Sequence, residues 1–513
     1  MPDFRSLTPI NGFDYKNLDN ARQNNYAWSM SDLGDFIYVG TGRNILINII
    51  SSTINPKTQI PALIRSYEVD NFAEIWRYGK DGKLPWERVY KAPLSSKIYG
   101  FRFMIRHRPF GGSPCLYAAA FGEKVKVLKS TNGVNWYQVL DDTLRGTSSR
   151  AMVTHRGKLY IATIDEGNPS SIPLLYRSED PEFYPWEKVI DSDAKGFDPD
   201  RNPKGAISNM AVFNNRIYVA TANADGVQVW RTNGEEPEMN EWTLIVDKGF
   251  GNPLNKYSLS IGVFKNHLYV SGTKQLPLAW FIPMGCDIIR IDRNDNWQLI
   301  VGGNPLIPLN QSDDNKYKSM SGLSSGFNNP FNVYAWQIQE YQRRLYISTF
   351  DDSSNMEVIL NTLLANRAAL EELIGEKITK ILIEIYESVV KILRGIGYPI
   401  GFDLYTSEDG IHFKSVFLNG LGNPYNYGGR ILYVDSCNKL YLGTANPFEG
   451  CEVWETNKIE NYNLRLCNEK HYECLWEARE IIKEKYDVIS ENMHAILKFI
   501  PKDYYHRFFN DIQ

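Results

Sequence analysis

A short run carrying a tyrosine directly after an aliphatic residue recurs seven times in the 513 residues, and no other feature restricts the fold as much. The tyrosines are Tyr38 (FIYVGT), Tyr117 (CLYAAA), Tyr160 (KLYIAT), Tyr218 (RIYVAT), Tyr269 (HLYVSGT), Tyr346 (RLYIST) and Tyr441 (KLYLGT). The surroundings are clearest at 216–246. There 217–220, 227–230 and 242–246 are β-branched or aromatic runs separated by Gly, Asn, Asp and Pro, so each reads as a strand. The segment AISNMAVF at 206–213 supplies a fourth strand upstream. Four antiparallel strands in about 40 residues form one meander sheet, a unit of repeat size.

The unit recurs along the chain. A third run ends in a polar turn each time: EIWRYGKDG, KVLKSTNG, LLYRSED, QVWRTNG, IIRIDRND, DLYTSEDG and CEVWETN. The fourth run opens on Trp86, Trp136, Trp186, Trp242, Trp297 or Phe413. First strands are expected at 26–30, 98–106, 150–154, 206–213, 257–264, 333–338 and 430–435. A four-stranded unit at this period predicts an all-β fold, a seven-bladed β-propeller of four-stranded antiparallel blades spanning 1–466. The last unit has no obvious fourth run. Either 462–466 (YNLRL) supplies it or the N-terminal 4–8 closes the ring.

STNGVNW (130–136) and TSEDGIHF (406–413) resemble the Asp-box of BNR-repeat proteins, a turn between the third and fourth strands of a blade. The wider LYVGT…EVWR…DG…W pattern is similar to that of bacterial propellers built on the same repeat. Asn132 stands in the Asp position of one copy. The resemblance implies a propeller and no particular activity, because the box is a structural turn shared by sialidases and non-enzymes.

The interruptions fall in two loop types that emerge on one face of a propeller. Between second and third strands they are 43–71, 165–173, 274–285 and 351–401; between blades the longest are 191–205 and 302–332. Long loops inside compact domains carry function or are disordered, and their concentration on one face favours function. The 351–401 insertion repeats apolar residues at three and four through 356–397, with charges between them. That spacing predicts one long amphipathic helix, or two broken near Gly375, forming a helical cap; a lid or a peripheral membrane contact through 356–394 is the alternative. A second helical region, 472–499 within a C-terminal extension 467–513, is expected to pack on the propeller.

The formal charge of -4 and the lack of a dense Lys/Arg tract argue against a nucleic-acid partner. No signal peptide or membrane span is evident, so a cytoplasmic protein is expected. The six cysteines form no CxxC pair; reduced thiols are the expectation, with a Cys437–Cys451 disulfide the alternative in an exported protein.

First strands line the channel of a propeller. Those here bring Tyr26, Trp28, Arg102, Arg150, Asn209, Tyr257, Tyr334, Trp336 and Arg430, and adjoining loops bring Asn44, Asp165, Glu166, Asn223, Asp225, Asp351, Asp352, Asn446 and Glu449. Arginines suit capture of a carboxylate or phosphate, and a Tyr beside a carboxylate suits nucleophilic or acid–base work. The candidate catalytic set is therefore Arg102, Arg150, Arg430, Tyr257, Tyr334, Asp225, Asp351 and Glu449. The candidate ligand-binding set is Tyr26, Trp28, Asn209, Asn223, Trp336 and Asn446. Structural pairing of each arginine with a loop carboxylate is the competing reading. The inter-blade segments GFGNPLNKY, GFNNPFNVY and GLGNPYNYGG read as turns that start a blade, with an axial Ca²⁺ held by Asn and carbonyl oxygens as the alternative. No His pattern, P-loop or GxSxG is present, so no catalytic metal is expected.

Two functions stay open. One is a small-molecule enzyme working at the mouth beneath the insertion, by glycoside cleavage, lyase action or alkyl or acyl transfer. The other is a non-catalytic propeller that binds a glycan, peptide or partner protein on the same face.

Overall fold

A computed structural model describes residues 4–48, 69–166, 172–276, 279, 283–303 and 318–456, with the Leu373 side chain excepted. Consecutive strands pair antiparallel in units of four, and each unit is named here by its tyrosine. The Tyr38 unit comprises Asn24–Leu33, Phe36–Arg43, Glu74–Gly79 and Glu87–Lys91. The Tyr117 unit comprises Ile98–His107, Cys115–Gly122, Lys126–Ser130 and Tyr137–Gln138. Ser148–His155, Lys158–Ile164, Leu174–Ser178 and Glu187–Ile190 form the Tyr160 unit. Ala206–Phe213, Arg216–Ala222, Gln228–Thr232 and Trp242–Val246 form the Tyr218 unit.

In the Tyr269 unit the expected first strand 257–264 is split into Asn255–Tyr257 and Ile261–Phe264, followed by His267–Lys274, Asp287–Ile291 and Trp297–Val301. The Tyr346 unit has Asn332–Tyr341, Arg344–Asp351, Leu404–Ser407 and Phe413–Phe417. The Tyr441 unit has Gly428–Val434, Leu440–Ala445 and Val453–Thr456. Its fourth strand comes from the other end of the chain, with Phe4, Arg5 and Ser6 opposite Thr456, Glu455 and Trp454. The segments 462–466 and 467–513 lie outside the described residues.

The tyrosines explain why these sheets stack. Each is buried, and each shares a core cluster with the next unit as well as with its own. Tyr38 joins Leu116 and Ala118, Tyr117 joins Leu159 and Ile161, and Tyr160 joins Ile217 and Val219. Tyr218 joins Leu268 and Val270, and Tyr269 joins Leu345 and Ile347. Tyr346 joins Leu440 and Leu442, and Tyr441 returns to Ile37 and Val39. The series ends where it began, so the sheets form a closed β-propeller ring. An aromatic ring buries a large apolar area, and in two units the hydroxyl donates to a carboxylate, from Tyr117 to Asp180 and from Tyr218 to Asp295.

Turn chemistry matches the sheet twist. Asn214 and Asn215 have φ of 49° and 58°, and Gln342 and Arg343 have 48° and 62°, the left-handed pair of a type I′ hairpin. The two Asp-box-like turns share one hydrogen-bond scheme. Gly133 N donates to Ser130 Oγ while Val134 N and Asn135 N donate to Asn132 Oδ1; Gly410, Ile411 and His412 do the same with Ser407 and Asp409.

The 351–401 insertion forms three helical segments, Ser353–Ala365, Arg367–Ile374 and Glu376–Gly395. The break at Gly375 was expected, and its φ of 86° suits glycine. The break at Asn366 was not expected. In the longest segment Leu382, Ile385, Tyr386, Val389 and Leu393 are buried at helical spacing and join the aromatic cluster of the channel. No helix among the described residues is long and apolar enough to cross a membrane.

Asp32 reinforces the closure. Its carboxylate accepts hydrogen bonds from Lys80 at 2.7 Å, Tyr433 at 2.6 Å and the Ser436 hydroxyl, tying the Tyr38 unit to the Tyr441 unit. Burial alone would raise its pKa, but these donors outweigh burial and hold it below the ordinary value. A depressed carboxyl stabilises the fold above its unfolded pKa of about 4 and loses that contribution as pH falls. Asp32→Asn is therefore expected to cost about 1–3 kcal/mol at pH 7. Urea titrations at both pH values should show the gap from the parent closing toward pH 3.

Candidate functional site

Six of the seven first strands carry a β-bulge at corresponding depth, where one residue drops out of the ladder. Ala27 and Ser29 pair with Thr41 and Gly40, leaving Trp28 unpaired in the ladder. Arg102 is skipped in the same way between Phe101 and Phe103, Trp336 between Ala335 and Gln337, and Arg430 between Gly429 and Ile431. Arg150 lies in the shift between Ser148 and Ala151, and Ser208 in that between Ile207 and Asn209. A bulge bends the strand and re-aims one side chain, which is why bulges cluster at functional sites.

Two glycines seat the tryptophans. A Cβ on Gly100 would lie 2.0 Å from Trp28 Cζ3, and one on Gly428 would lie 2.1 Å from Trp336 Cζ3. Each indole thus lies flat over the start of the next unit, against the arginine two residues on. Arg102 sits 4.7 Å from the Trp28 ring and Arg430 sits 5.3 Å from the Trp336 ring, both cation–π contacts. The sequence carried this signal twice, as Tyr-Ala-Trp at 26–28 and 334–336 and as Gly-x-Arg at 100–102 and 428–430.

The charges do not balance. Glu166 Oε1 takes both Arg102 and Arg150, the latter at 3.4 Å. Arg430 makes no ion pair among the described residues, and its Nε has no hydrogen-bond partner there. It lies deep in the channel. Burial first, then the charges of Arg150 and Arg102, push its guanidinium down to about 9, so it remains a cation at neutral pH. Arg430 thus lacks a carboxylate partner among the described residues, while Arg102 and Arg150 both meet Glu166.

A polar seam leads from Arg430 to the insertion. The Tyr26 and Tyr427 hydroxyls bond to each other, and burial pushes Tyr26 up to about 12 despite the nearby arginines. Asp352, next along the seam, is the residue before the first insertion helix. Its Oδ1 accepts from Asn355 at 2.8 Å, while its buried Oδ2 has no hydrogen-bond partner among the described residues. Burial raises Asp352 well above the ordinary carboxyl value. Sequence reasoning placed Glu166 and Asp352 in the loops at the mouth without giving them a role, and it missed Tyr427 and Tyr386, because loop and helix residues reveal their direction only once folded.

Tyr257 and Tyr334 are buried in the channel cluster with Tyr26, Trp28 and Trp336. Asn209 is half-buried and donates to Ser258 O at 2.8 Å. Asn223 caps its own loop by accepting from Asp225 N, and Asp225 is exposed. Glu449 is also exposed and accepts from Asn423. Asn446 is buried and caps the following turn through Phe448 N and Glu449 N. Asp225 and Glu449 therefore do not join the arginines, since their loops turn outward before reaching the channel. Asp351 lies behind the aromatic wall, beside Asp403. Cys437 and Cys451 are free thiols, one exposed and one buried. Among the described residues no group of three or more His, Cys, Asp and Glu side chains is disposed to hold a metal ion.

No family model matches the chain, and no curated protein matches it in sequence. Solved structures do. The GH74 enzyme of Niastella koreensis is 12% identical with a TM-score of 0.40, over 66% of this chain and 46% of that one. The chain thus spans less than half of that enzyme's length. The propeller domain of the Trilobed protease from Pyrococcus furiosus is 8% identical with a TM-score of 0.39, over 86% of this chain and 99% of that one. A putative 6-phosphogluconolactonase from Bacteroides uniformis is 10% identical with a TM-score of 0.36, over 64% and 79%.

Proposed function

We propose that the chain is a seven-bladed propeller, one domain over 1–466 capped by the helices of 351–401, and that its channel is the active site of an enzyme for an anionic small molecule. The observation that carries this reading is Arg430, which makes no ion pair among the described residues and stands beside Arg102 and Arg150, both of which meet Glu166, next to the aromatic channel cluster. A carboxylate or phosphate supplies the counter-charge that Arg430 lacks and finds fork-shaped donors already in place. Trp28, Trp336 and Tyr334 supply flat apolar walls for the body of the substrate, the usual make-up of a small-molecule site.

The seam beside the arginines supplies hydrogen-bond donors. With Tyr26 pushed up to about 12, its hydroxyl stays protonated and donates a hydrogen bond. Asp352, raised by burial, lies one step further along. Such a set favours reactions that protonate a leaving group or a developing oxyanion, which fits lyase, glycoside-cleaving and group-transfer chemistry.

Isothermal titration with benzoate, phenyl phosphate and the neutral benzyl alcohol tests the reading. Binding of either anion at least about tenfold tighter than the alcohol is expected, a difference of about 1.4 kcal/mol. Equal or absent binding of all three would overturn it and favour the docking propeller.

A further inference from the structure

The position five residues after a unit's tyrosine ends the second strand, and it holds a hydrogen-bond donor in three units where the partner is resolved. In the Tyr38 unit Arg43 stands opposite Asn24, donates to its Oδ1 at 2.7 Å and pairs with Glu74 at 3.4 Å. In the Tyr269 unit Lys274 stands opposite Asn255, donates to its Oδ1 at 2.9 Å and pairs with Asp287 at 2.6 Å. In the Tyr441 unit Asn446 donates to Asn426 Oδ1 at 3.2 Å, and Asn426 in turn donates to Glu452 at 2.8 Å.

The Tyr346 unit keeps this frame and reverses the charge. Asn332 stands opposite residue 351, and its Nδ2 donates to Asp403 at 2.8 Å, as Asn255 does to Asp287 at 2.9 Å. Residue 351, however, is an aspartate. Asn332 is 0% exposed, and its Oδ1 has no hydrogen-bond partner among the described residues. By the shared register that oxygen faces the point where Arg43 and Lys274 place their cations. Asp351 and Asp403 border the same point, close enough that the Asn329 amide reaches both, at 3.2 and 3.4 Å. No ion pair among the described residues reaches either carboxylate.

The geometry points to a divalent cation site at this position, with Asp351, Asp403 and Asn332 Oδ1 as ligands in place of the guanidinium or ammonium of the sister units. Two carboxylates match a charge of +2. Carboxylate and amide oxygens are the ligands of a hard ion that tolerates irregular geometry, which selects Ca²⁺ over Mg²⁺. The amide donors do not compete, since Asp287 Oδ2 accepts Asn255 and Lys274 together. The site lies in the blade wall, away from the propeller axis, and goes beyond the proposed activity. It also has a mechanical role. Asp351 closes the strand that enters the insertion, and Tyr398, just past its last helix, donates to Asp351 at 2.5 Å. A bound ion fastens both ends of the insertion to the ring.

Full-length protein stripped with a chelator and desalted, then dialysed against CaCl2 or MgCl2, gives metal content by mass spectrometry and melting curves in parallel. About one Ca²⁺ per chain and a higher melting temperature with Ca²⁺ are expected, with weaker uptake of Mg²⁺. Asp351→Asn copies the natural Asn446 arrangement and Asp351→Lys copies Lys274. Both are expected to weaken Ca²⁺ uptake by roughly 100-fold or more, and the lysine variant to melt identically with and without chelator. A parent that takes up no Ca²⁺ at millimolar concentration, its carboxyls simply protonated, overturns the proposal whatever the variants do. So does unchanged uptake by Asp351→Asn, which would place the ion elsewhere.

Discussion

Replacing Arg430 by Met is expected to abolish anion binding in the channel and, at the same time, to raise the melting temperature of the unliganded protein. The two effects have one cause. Arg430 is half-buried with no ion pair among the described residues, beside two further guanidinium groups that already share Glu166. A cation whose folded pKa is depressed costs stability at every pH where the unfolded chain keeps it protonated, and the cost is present throughout the neutral range. The fall toward about 9 marks this cost. The side chain keeps some contact with channel water, so a gain of about 1–2 kcal/mol is the reasonable size, typical of a function-bearing residue replaced by an apolar one. Loss of a charge-assisted, partly dehydrated contact should weaken an anion by roughly 100-fold. Thermal melting and calorimetry on the same preparation separate the outcomes. A variant that melts lower and still binds would show Arg430 to be a structural residue of the wall.

The same contrast explains what could be read from the chain beforehand. The tyrosine ladder was legible because its burden is local: an aliphatic-Tyr strand every unit, with turn residues between, already fixes which face is buried. Trp28, Arg102, Arg150, Trp336 and Arg430 were found as channel residues from strand position alone. The bulges that aim them were not, because a bulge changes register without changing composition. Asp225 and Glu449 went astray for a related reason. They were assigned by loop type, and a loop's direction depends on what its backbone bonds to, as Asn223 and Asn446 show by capping their own turns. Asp351 was singled out as a loop acid, whereas its meaning lay in the comparison with Arg43, Lys274 and Asn446 at the same place in other units. That comparison needs only the sequence. The second break in the insertion, at Asn366, left no such trace, since the apolar spacing runs through it.

Removing residues 1–8 is expected to destabilise the whole ring rather than fray one edge. Phe4–Ser6 is the only strand among the described residues that pairs with the outer side of Val453–Thr456, so its loss leaves three strands in the Tyr441 unit. Leu7 is 3% exposed and sits in the cluster that joins the Tyr441 and Tyr38 units, with Tyr441, Trp76 and Trp86. Truncating one such leucine costs about 2–5 kcal/mol by itself. The deletion also strands polar groups. Trp86 Nε1 donates to Leu7 O at 2.7 Å, and Leu7 N donates to Val453 O at 2.8 Å; both Trp86 and Val453 are buried. Each orphaned group adds about 1–3 kcal/mol. The combined loss exceeds about 5 kcal/mol, which for a chain of this size lowers the melting temperature by about 5 °C or more. Because this strand completes the unit at which the ring closes, the loss should appear in one cooperative transition and not as a small early step. Differential scanning calorimetry of the deletion, with a synthetic peptide of residues 1–9 added back, decides the matter. Recovery of stability with peptide concentration would confirm that this strand closes the ring; a deletion that melts within about 2 °C of the parent would mean that closure is carried elsewhere.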